Sequence, residues 1–180
     1  MVIRTVIIDN YIQQLISEGI DTVINLGAAL DTRPYRMNLP PGLKWIEADY
    51  PHVIDVKEPR LAGEKARCQL ERVKIDLAND VERKMLLLKV ASGARNALVI
   101  TEGVIPYLSP DQVGSLADDI HSFPTLRYWI TEYFHPRVYR YLNMPDRMKK
   151  MRNAPFLFFP PDWFGFFAEH RWKERETRYI

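Results

Sequence analysis

The chain has 180 residues, of which 47% are hydrophobic and 27% charged, and its formal net charge is +2. This composition indicates a folded globular protein with one core, and the small net charge argues against a nucleic-acid partner. No apolar run approaches the roughly 18 residues of a membrane span. The lone Cys68 excludes an internal disulfide and favours a reducing cytoplasm, and the four histidines lack zinc-ligand spacing, so no metal is predicted.

Helices and strands are predicted to alternate, because apolar residues recur with the spacing of one element and then of the other. Pro59 must bend or end the helix that begins at Pro51, and Asn79 and Ser109 have the spacing of helix N-caps. In chain order, the predicted elements are a helix over Arg4–Gly19, a strand over Thr22–Leu26, a strand over Leu43–Ala48, a helix from Pro51, a strand over Arg72–Ile75, a helix from Asn79 to Gly93, a strand over Ala97–Thr101, a helix from Ser109, a strand over Leu126–Tyr133, a helix over Tyr139–Arg152, an aromatic segment over Ala154–Phe167 and a candidate last strand over Trp172–Ile180.

This alternation predicts an α/β fold with a doubly wound, mostly parallel sheet. In such sheets the ligand lies at the carboxyl ends of the strands, where the strand order reverses. Acids follow three of the predicted strands, namely Asp49, Asp76 and Glu102, although such carboxylates can also cap a following helix. The first strand is followed by the small residues Gly27-Ala28-Ala29, which let the backbone approach a ligand. The sequence therefore predicts a ligand site at this edge of the sheet.

Two of these acids have the positions expected for binding a nucleoside. Asp49 lies 22 positions after Gly27, close to the spacing of a carboxylate that accepts hydrogen bonds from ribose hydroxyls. Asp76 is placed to accept from an adenine amino group. The turn at Gly27 is not G-x-G-x-x-G, so the pattern favours S-adenosyl-L-methionine over a dinucleotide. A nicotinamide-dependent (NAD) oxidoreductase on a similar sheet is the alternative.

The segment Asn25–Arg36, NLGAALDTRPYR, closely resembles the NLGAGLDTRPYR signature of the leucine carboxyl methyltransferase family. Three later blocks resemble that family in the same order: Trp45–Pro51, Ile75–Leu77 and Thr101–Leu108. The bacterial branch, which includes polyketide O-methyltransferases, is the most similar. The resemblance implies one class I, Rossmann-like methyltransferase domain over residues 1–180. It also implies methyl transfer from S-adenosyl-L-methionine to a carboxylate or hydroxyl of a small molecule.

The resemblance implies cofactor contacts from successive strand ends but no particular catalytic residue. A carboxylate acceptor needs no base, whereas a hydroxyl acceptor does, and His121, His135, Glu132 and Tyr107 are candidates. The implied contacts are Arg4 with the cofactor's carboxylate, Gly27 and Ala28 with its methionine portion, Asp49 with the ribose hydroxyls, Asp76 and the Leu77 backbone with adenine, and Glu102 with the methionine end.

The chain departs from the family pattern in two respects. Ala29 stands where the family has glycine, and a positive φ there would strain the turn. Family members also have a last antiparallel strand that this chain is expected to lack, which would leave an exposed sheet edge. We therefore expect either a homodimer that completes the sheet or a truncated member, which could be catalytically silent. The aromatic segment, taken as 154–170, is expected to cover the acceptor.

Overall fold

A computed structural model describes residues 2–135, 138 and 154–179, and a parallel sheet with helices on both faces organises them. The helix expected over Tyr139–Arg152 lies outside the described residues. The elements of the described residues are α1 (Val2–Ser17), β1 (Thr22–Leu26), α2 (Arg33–Arg36), β2 (Lys44–Asp49), α3 (Pro51–Arg60), β3 (Gln69–Lys74), α4 (Asp80–Gly93), β4 (Ala97–Thr101), a 3-10 helix (Ile105–Tyr107), α5 (Pro110–His121), β5 (Leu126–Thr131) and α6 (Trp163–Glu169).

The five strands are all parallel and lie in the order β3-β2-β1-β4-β5. The chain runs outward from β1 to β3, then crosses back so that β4 pairs with the other side of β1. The strand order thus reverses between β1 and β4, and the predicted doubly wound fold is confirmed. In such a sheet the ligand crevice lies at the carboxyl ends of these two strands.

The two central strands are buried along their whole length because an apolar cluster covers each face of the sheet. On one face, α4, α5 and α6 contribute Leu87, Leu116 and Phe167. On the other face, α1 contributes Ile12, which packs in a cluster with Trp45 of β2. Burial on both faces fixes where β1 and β4 end, and so it fixes the base of the crevice.

Of the first five predicted strands, four agree with the structure to within two residues at each end, whereas β3 begins at Gln69 rather than at Arg72. This strand is at the edge of the sheet, and its exposed positions Gln69 and Glu71 hide the apolar pattern in the sequence. Pairing with β2 from Lys44 to Asp49 nevertheless holds the whole segment in register. Cross-strand pairing here outweighs local preference.

The strand expected over Trp172–Ile180 is wrong for the residues that can be described, because 172–179 have no regular secondary structure. Side chains rather than a backbone ladder hold this segment. The Trp172 indole nitrogen donates to the Ala117 carbonyl at 3.1 Å, and Arg175 binds Glu18, which directly follows α1. Within the aromatic segment, Asp162 caps α6 by accepting from the Gly165 amide.

Across the described ranges, no helix combines the length and the apolar character needed to cross a membrane. The same residues contain no cluster of His, Cys, Asp and Glu side chains arranged to bind a metal ion.

Candidate functional site

The turn after β1 lies at the point where the strand order reverses, and its backbone is tightly held. Gly27 has a φ of +73°, and a Cβ at this position would lie 2.4 Å from Cγ2 of Val104 in the loop after β4. The amides of Gly27 and Ala28 both donate to the Ala48 carbonyl, at 2.8 and 3.3 Å. Only glycine fits here, so the backbone of β1 approaches the loop after β4 closely.

Asp49, at the end of β2, lies against this turn as the sequence predicts. Its Oδ2 accepts from the Ala29 amide at 2.7 Å and its Oδ1 from the Tyr50 amide at 2.7 Å. The Asp49 residue is 8% exposed. Each carboxylate oxygen has a second lone pair, so Asp49 can still accept from the hydroxyls of a ligand. Ala29 has a φ of +38°, which is the strained conformation anticipated for the residue that replaces glycine.

Asp76 and Leu77 follow β3 at the same edge of the sheet. Burial raises the pKa of the Tyr50 hydroxyl, and the nearby carboxylates of Asp76 and Asp49 raise it further, so both acids lie close to Tyr50. The Leu77 carbonyl accepts a 2.9 Å bond from Arg83 of α4, which is buried and paired with Asp119. The predicted nucleoside-binding acids therefore share one edge, and Arg83 of α4 holds the loop after β3.

Arg4 joins the ends of β4 and β5. Its Nε lies 3.0 Å from Oε1 of Glu102, and its Nη1 lies 3.1 Å from Oε2 of Glu132. Glu132 also accepts from the Gly103 amide through Oε1. Burial raises the pKa of Glu132, although the Arg4 charge opposes that change. The predicted contact residues Arg4 and Glu102 are thus paired with each other in this structure.

Arg33 is a structural centre of the site that the sequence analysis did not identify. Its side chain is only 3% exposed and contacts three carboxylates. The distances are 2.7 Å to Asp9, 3.0 Å to Asp31 and 2.9 Å to Oε2 of Glu102. These acids raise the pKa of Arg33 in spite of its burial. Arg33 belongs to the signature segment Asn25–Arg36, but that segment predicts neither its burial nor its long-range partners.

The candidate bases are not all brought to this edge. His121 ends α5, at the opposite end of the sheet from the crevice, and its ring centroid lies 5.8 Å from that of Trp172. Tyr107 lies in the 3-10 helix after β4, where its ring meets Phe156 at 4.9 Å. Glu132 is committed to Arg4 and Gly103, and His135 follows just past the end of β5. The structure therefore removes His121 from the candidates.

The aromatic segment begins at the site and ends in the core. The Pro106 carbonyl accepts from the amides of Leu157 and Phe158, at 2.7 and 3.2 Å. The Phe156 ring lies between Tyr107 and Phe134, with centroid distances of 4.9 and 6.1 Å. Phe158 is fully buried in the cluster on the α5 face. The start of the segment, around Phe156, therefore faces the loop after β4.

A comparison with protein families decides between the interpretations of this site. The model of the family described as leucine carboxyl methyltransferase matches residues 1–121, which contain the whole edge from Arg4 to Glu102. The chain belongs to the leucine carboxyl methyltransferase family. The resemblance carried by Asn25–Arg36 and the later blocks is thereby confirmed, and the NAD-dependent oxidoreductase is not favoured.

Two relatives of this chain have names that indicate methyltransferases. A protein of Mycolicibacterium smegmatis, provisionally named an S-adenosyl-L-methionine-dependent methyltransferase, is 33% identical over 123 residues, which cover 67% of this chain and 40% of that protein. A Mycobacterium marinum protein with the same kind of name is 34% identical over 122 residues, covering 67% of this chain and 39% of that protein. The chain thus spans about 40% of the length of these relatives.

Among solved structures, the methyltransferase domain of bacterial CtHen1-C gives a TM-score of 0.58 at 18% identity, covering 89% of this chain and 80% of that one. At these identities the likeness shows the fold alone. The leucine carboxyl methyltransferase chain therefore has the class I, Rossmann-like methyltransferase fold.

Proposed function

We propose that this chain binds S-adenosyl-L-methionine at the carboxyl ends of β1 to β4 and takes part in transferring its methyl group to an oxygen of a small molecule. The observation that carries the proposal is the arrangement of charge beside the Gly27 turn. One cation, Arg4, and one anion, Glu102, lie 3.0 Å apart there. Carboxylates for a nucleoside follow the neighbouring strands at Asp49 and Asp76.

The Arg4–Glu102 pair complements a zwitterion. An amino-acid tail has one carboxylate and one ammonium group, and a charge-assisted hydrogen bond to each is about twice as strong as a neutral one. Arg4 would donate to the tail carboxylate, and Glu102 would accept from the ammonium. Arg33 holds the second oxygen of Glu102 at 2.9 Å, so that carboxylate is already oriented toward Arg4.

The remaining proposed contacts follow the strand order. The turn at Gly27 and Ala28 admits the methionine portion, because no Cβ projects from Gly27. Asp49 accepts from the ribose hydroxyls, and Asp76 with the Leu77 backbone binds adenine. The bound cofactor would supply a methyl group activated by its sulfonium. The protein's own contribution is to align the acceptor in line with that methyl and to exclude water, an effect worth up to about 7–11 kcal/mol.

The acceptor is proposed to bind beside the start of segment 154–170. Phe156, Tyr107 and Phe134 form an aromatic wall near the loop after β4. Apolar walls suit a small molecule that presents a single polar group for reaction. A carboxylate acceptor fits these surroundings without a base, and a hydroxyl acceptor would need one of the remaining candidates.

We also propose that the domain spans residues 1–180 and pairs as a homodimer through β5. Within the described residues, β5 pairs only with β4, and its other side borders a cleft of about 660 Å³. Sedimentation of the purified chain as a monomer across micromolar concentrations would rule out this homodimer. The absence of a nucleic-acid partner and the cytoplasmic location stay predictions.

The test of the cofactor proposal is titration calorimetry with S-adenosylhomocysteine, the methyl-free product, and with NAD⁺. We expect binding of the first and not of the second. Asp49→Asn should weaken binding about tenfold or more, since it removes a charged acceptor, whereas Asp55→Asn on the exposed face of α3 should not. Binding of NAD⁺ alone would overturn the proposal.

A second experiment separates an enzyme from a silent member of the family. The chain is incubated with methyl-labelled S-adenosyl-L-methionine and a panel of small carboxylic acids and phenols. Transfer of label to any acceptor supports the proposed activity. Cofactor binding without transfer across the panel favours the catalytically silent alternative.

A further inference from the structure

We propose that Glu132 is a positioning residue that holds the Arg4 guanidinium at the site while the ligand's amino-acid tail separates Arg4 from Glu102. The inference deepens the proposed function and rests on it. The family resemblance assigned no binding role to Glu132.

The geometry of Arg4 is the first step of the argument. Its Nε faces Glu102 and its Nη1 faces Glu132, at 3.0 and 3.1 Å. A guanidinium has five N–H donors in a fixed fork, so it can bind two anions at once. A tail that places its ammonium at Glu102 and its carboxylate at Arg4 must come between these two side chains. Glu132 then remains as the anion that keeps Arg4 in place.

The two acids are anchored independently of Arg4. Glu102 is held through its other oxygen by the buried Arg33, at 2.9 Å. Glu132 is held through its other oxygen by the Gly103 amide, and its side chain is 9% exposed. Arg4, by contrast, is 35% exposed and has a long side chain with many rotamers. Arg4 is therefore the member of the group that can move, and the acids are fixed.

Among the described residues, Glu132 is the remaining partner of Arg4 once Glu102 turns to the ammonium. Without Glu132, the flexible arginine would have to be ordered when the ligand binds, and ordering a long side chain costs affinity. This cost falls only on ligands that use Arg4. An adenosyl ligand without an amino-acid tail would not be affected by it.

The experiment compares two ligands on Glu132→Gln. The glutamine oxygen can still accept from the Gly103 amide, but it removes the charge that faces Arg4. S-Adenosylhomocysteine has the amino-acid tail, and 5′-methylthioadenosine has the same nucleoside and thioether without that tail. We expect calorimetry to show S-adenosylhomocysteine binding weakened about tenfold or more, because a charged hydrogen-bond partner is lost, and 5′-methylthioadenosine binding unchanged.

Three further variants complete the design. Arg4→Met should produce the same tail-specific loss, and the double variant should lose little more than either single variant, because both act through one contact. Glu64→Gln, on an exposed loop, is the matched control and should change neither affinity.

The outcomes are distinct. Equal weakening of both ligands by Glu132→Gln would show a merely structural role and overturn the inference, as would unchanged binding of both. Additive losses in the double variant would also overturn it. If the wild-type chain binds neither ligand, the proposed function fails together with the inference. If the wild-type chain binds both ligands but Glu132→Gln does not weaken S-adenosylhomocysteine more than 5′-methylthioadenosine, the inference alone is overturned.

Discussion

At the scale of single residues, Ala29 has a backbone conformation that costs an L-amino acid about 1–2 kcal/mol, with a φ of +38°. Ala29→Gly should raise the free energy of unfolding by about 1 kcal/mol or slightly less, since the entropy of glycine in the unfolded chain offsets part of the relief. Urea denaturation measures this change.

The chain offers a matched control at Arg171, whose φ is +67° just past the end of α6 and far from the Gly27 turn. Arg171→Gly should raise stability by a similar amount and leave S-adenosylhomocysteine affinity unchanged. If Ala29→Gly lowers stability, the strain assigned to this turn is refuted.

Gly27 is the second residue at which the backbone conformation excludes a side chain. A Cβ has no space there, and the φ lies in the left-handed region. A Cβ there would meet Val104 Cγ2 at 2.4 Å, and the φ of +73° adds the left-handed penalty. Gly27→Ala should therefore cost about 2–4 kcal/mol of unfolding free energy. Gly42→Ala, where nothing lies within 4 Å of the added carbon, should change stability by well under half of that. Equal effects would contradict the close approach of the two loops.

At the scale of elements, a buried charge cluster joins β2, β3 and α3. Glu47 and Lys57 are both 0% exposed and lie 2.8 Å apart, and Arg72 lies 3.0 Å from the other oxygen of Glu47. Removing one partner of such a cluster leaves a buried charge without compensation. Lys57→Met should cost about 3–5 kcal/mol, and the double variant Lys57→Met/Glu47→Leu should recover much of it.

The same cluster gives a pH dependence. Burial raises the pKa of Glu47, and the Lys57 charge opposes that change, so Lys57→Met should raise the pKa further. A carboxyl whose pKa is raised on folding contributes stability at pH values below the pKa that it has in the unfolded chain. This contribution is lost as pH rises through the pKa of the folded state. The loss of unfolding free energy in Lys57→Met, relative to the wild type, should therefore grow from about pH 4.5 toward neutrality in denaturation curves. A deficit that does not vary with pH would argue against a buried charged Glu47.

At the scale of the whole molecule, the last described residues connect the two faces of the sheet around β5. Trp172 binds Ala117 of α5, whereas Arg175 binds Glu18, just past the end of α1, at 2.7 Å and lies over the Tyr128 ring. These contacts border the cleft beside β5. The segment thus covers the sheet edge through side chains and leaves the backbone ladder of β5 without a second partner strand among the described residues.

This segment should loosen in acid. Hydrogen bonds from Arg175 and Gln14 lower the pKa of Glu18 to about 2. A carboxyl whose pKa is lowered on folding stabilises the folded state above its unfolded value, here about 4.5, and the effect is lost as pH falls through about 2. Glu18→Gln should therefore lower the backbone NMR order parameters of residues 173–179 at pH 7, because the side-chain contact that holds the segment is weakened.

A matched control is Glu71→Gln, which removes an exposed ion pair with Lys89 elsewhere on the surface. That variant should leave the order parameters of the segment unchanged. Order parameters in Glu18→Gln equal to those of the wild type would refute the role of the Arg175 contact.

The sequence by itself determined the parallel α/β fold, because apolar runs and helix caps are local signals that long-range packing did not override. It placed β1, β2 and β4 within a residue or so, and it predicted that Asp49, Asp76 and Glu102 follow strand ends. Strand ends of a parallel sheet meet at one edge, so these acids could be grouped before any coordinates were known.

Tertiary structure alone decided the features that depend on partners far apart in the chain. The edge strand β3 begins earlier than its polar residues suggest, because β2 supplies the pairing. Arg33 is buried among acids, and Arg4 meets Glu132 across 128 positions of sequence. The segment after Trp172 looks like a strand but is held by side chains. In each case the deciding free energy comes from contacts that form only when distant segments pack together, so no local pattern records it.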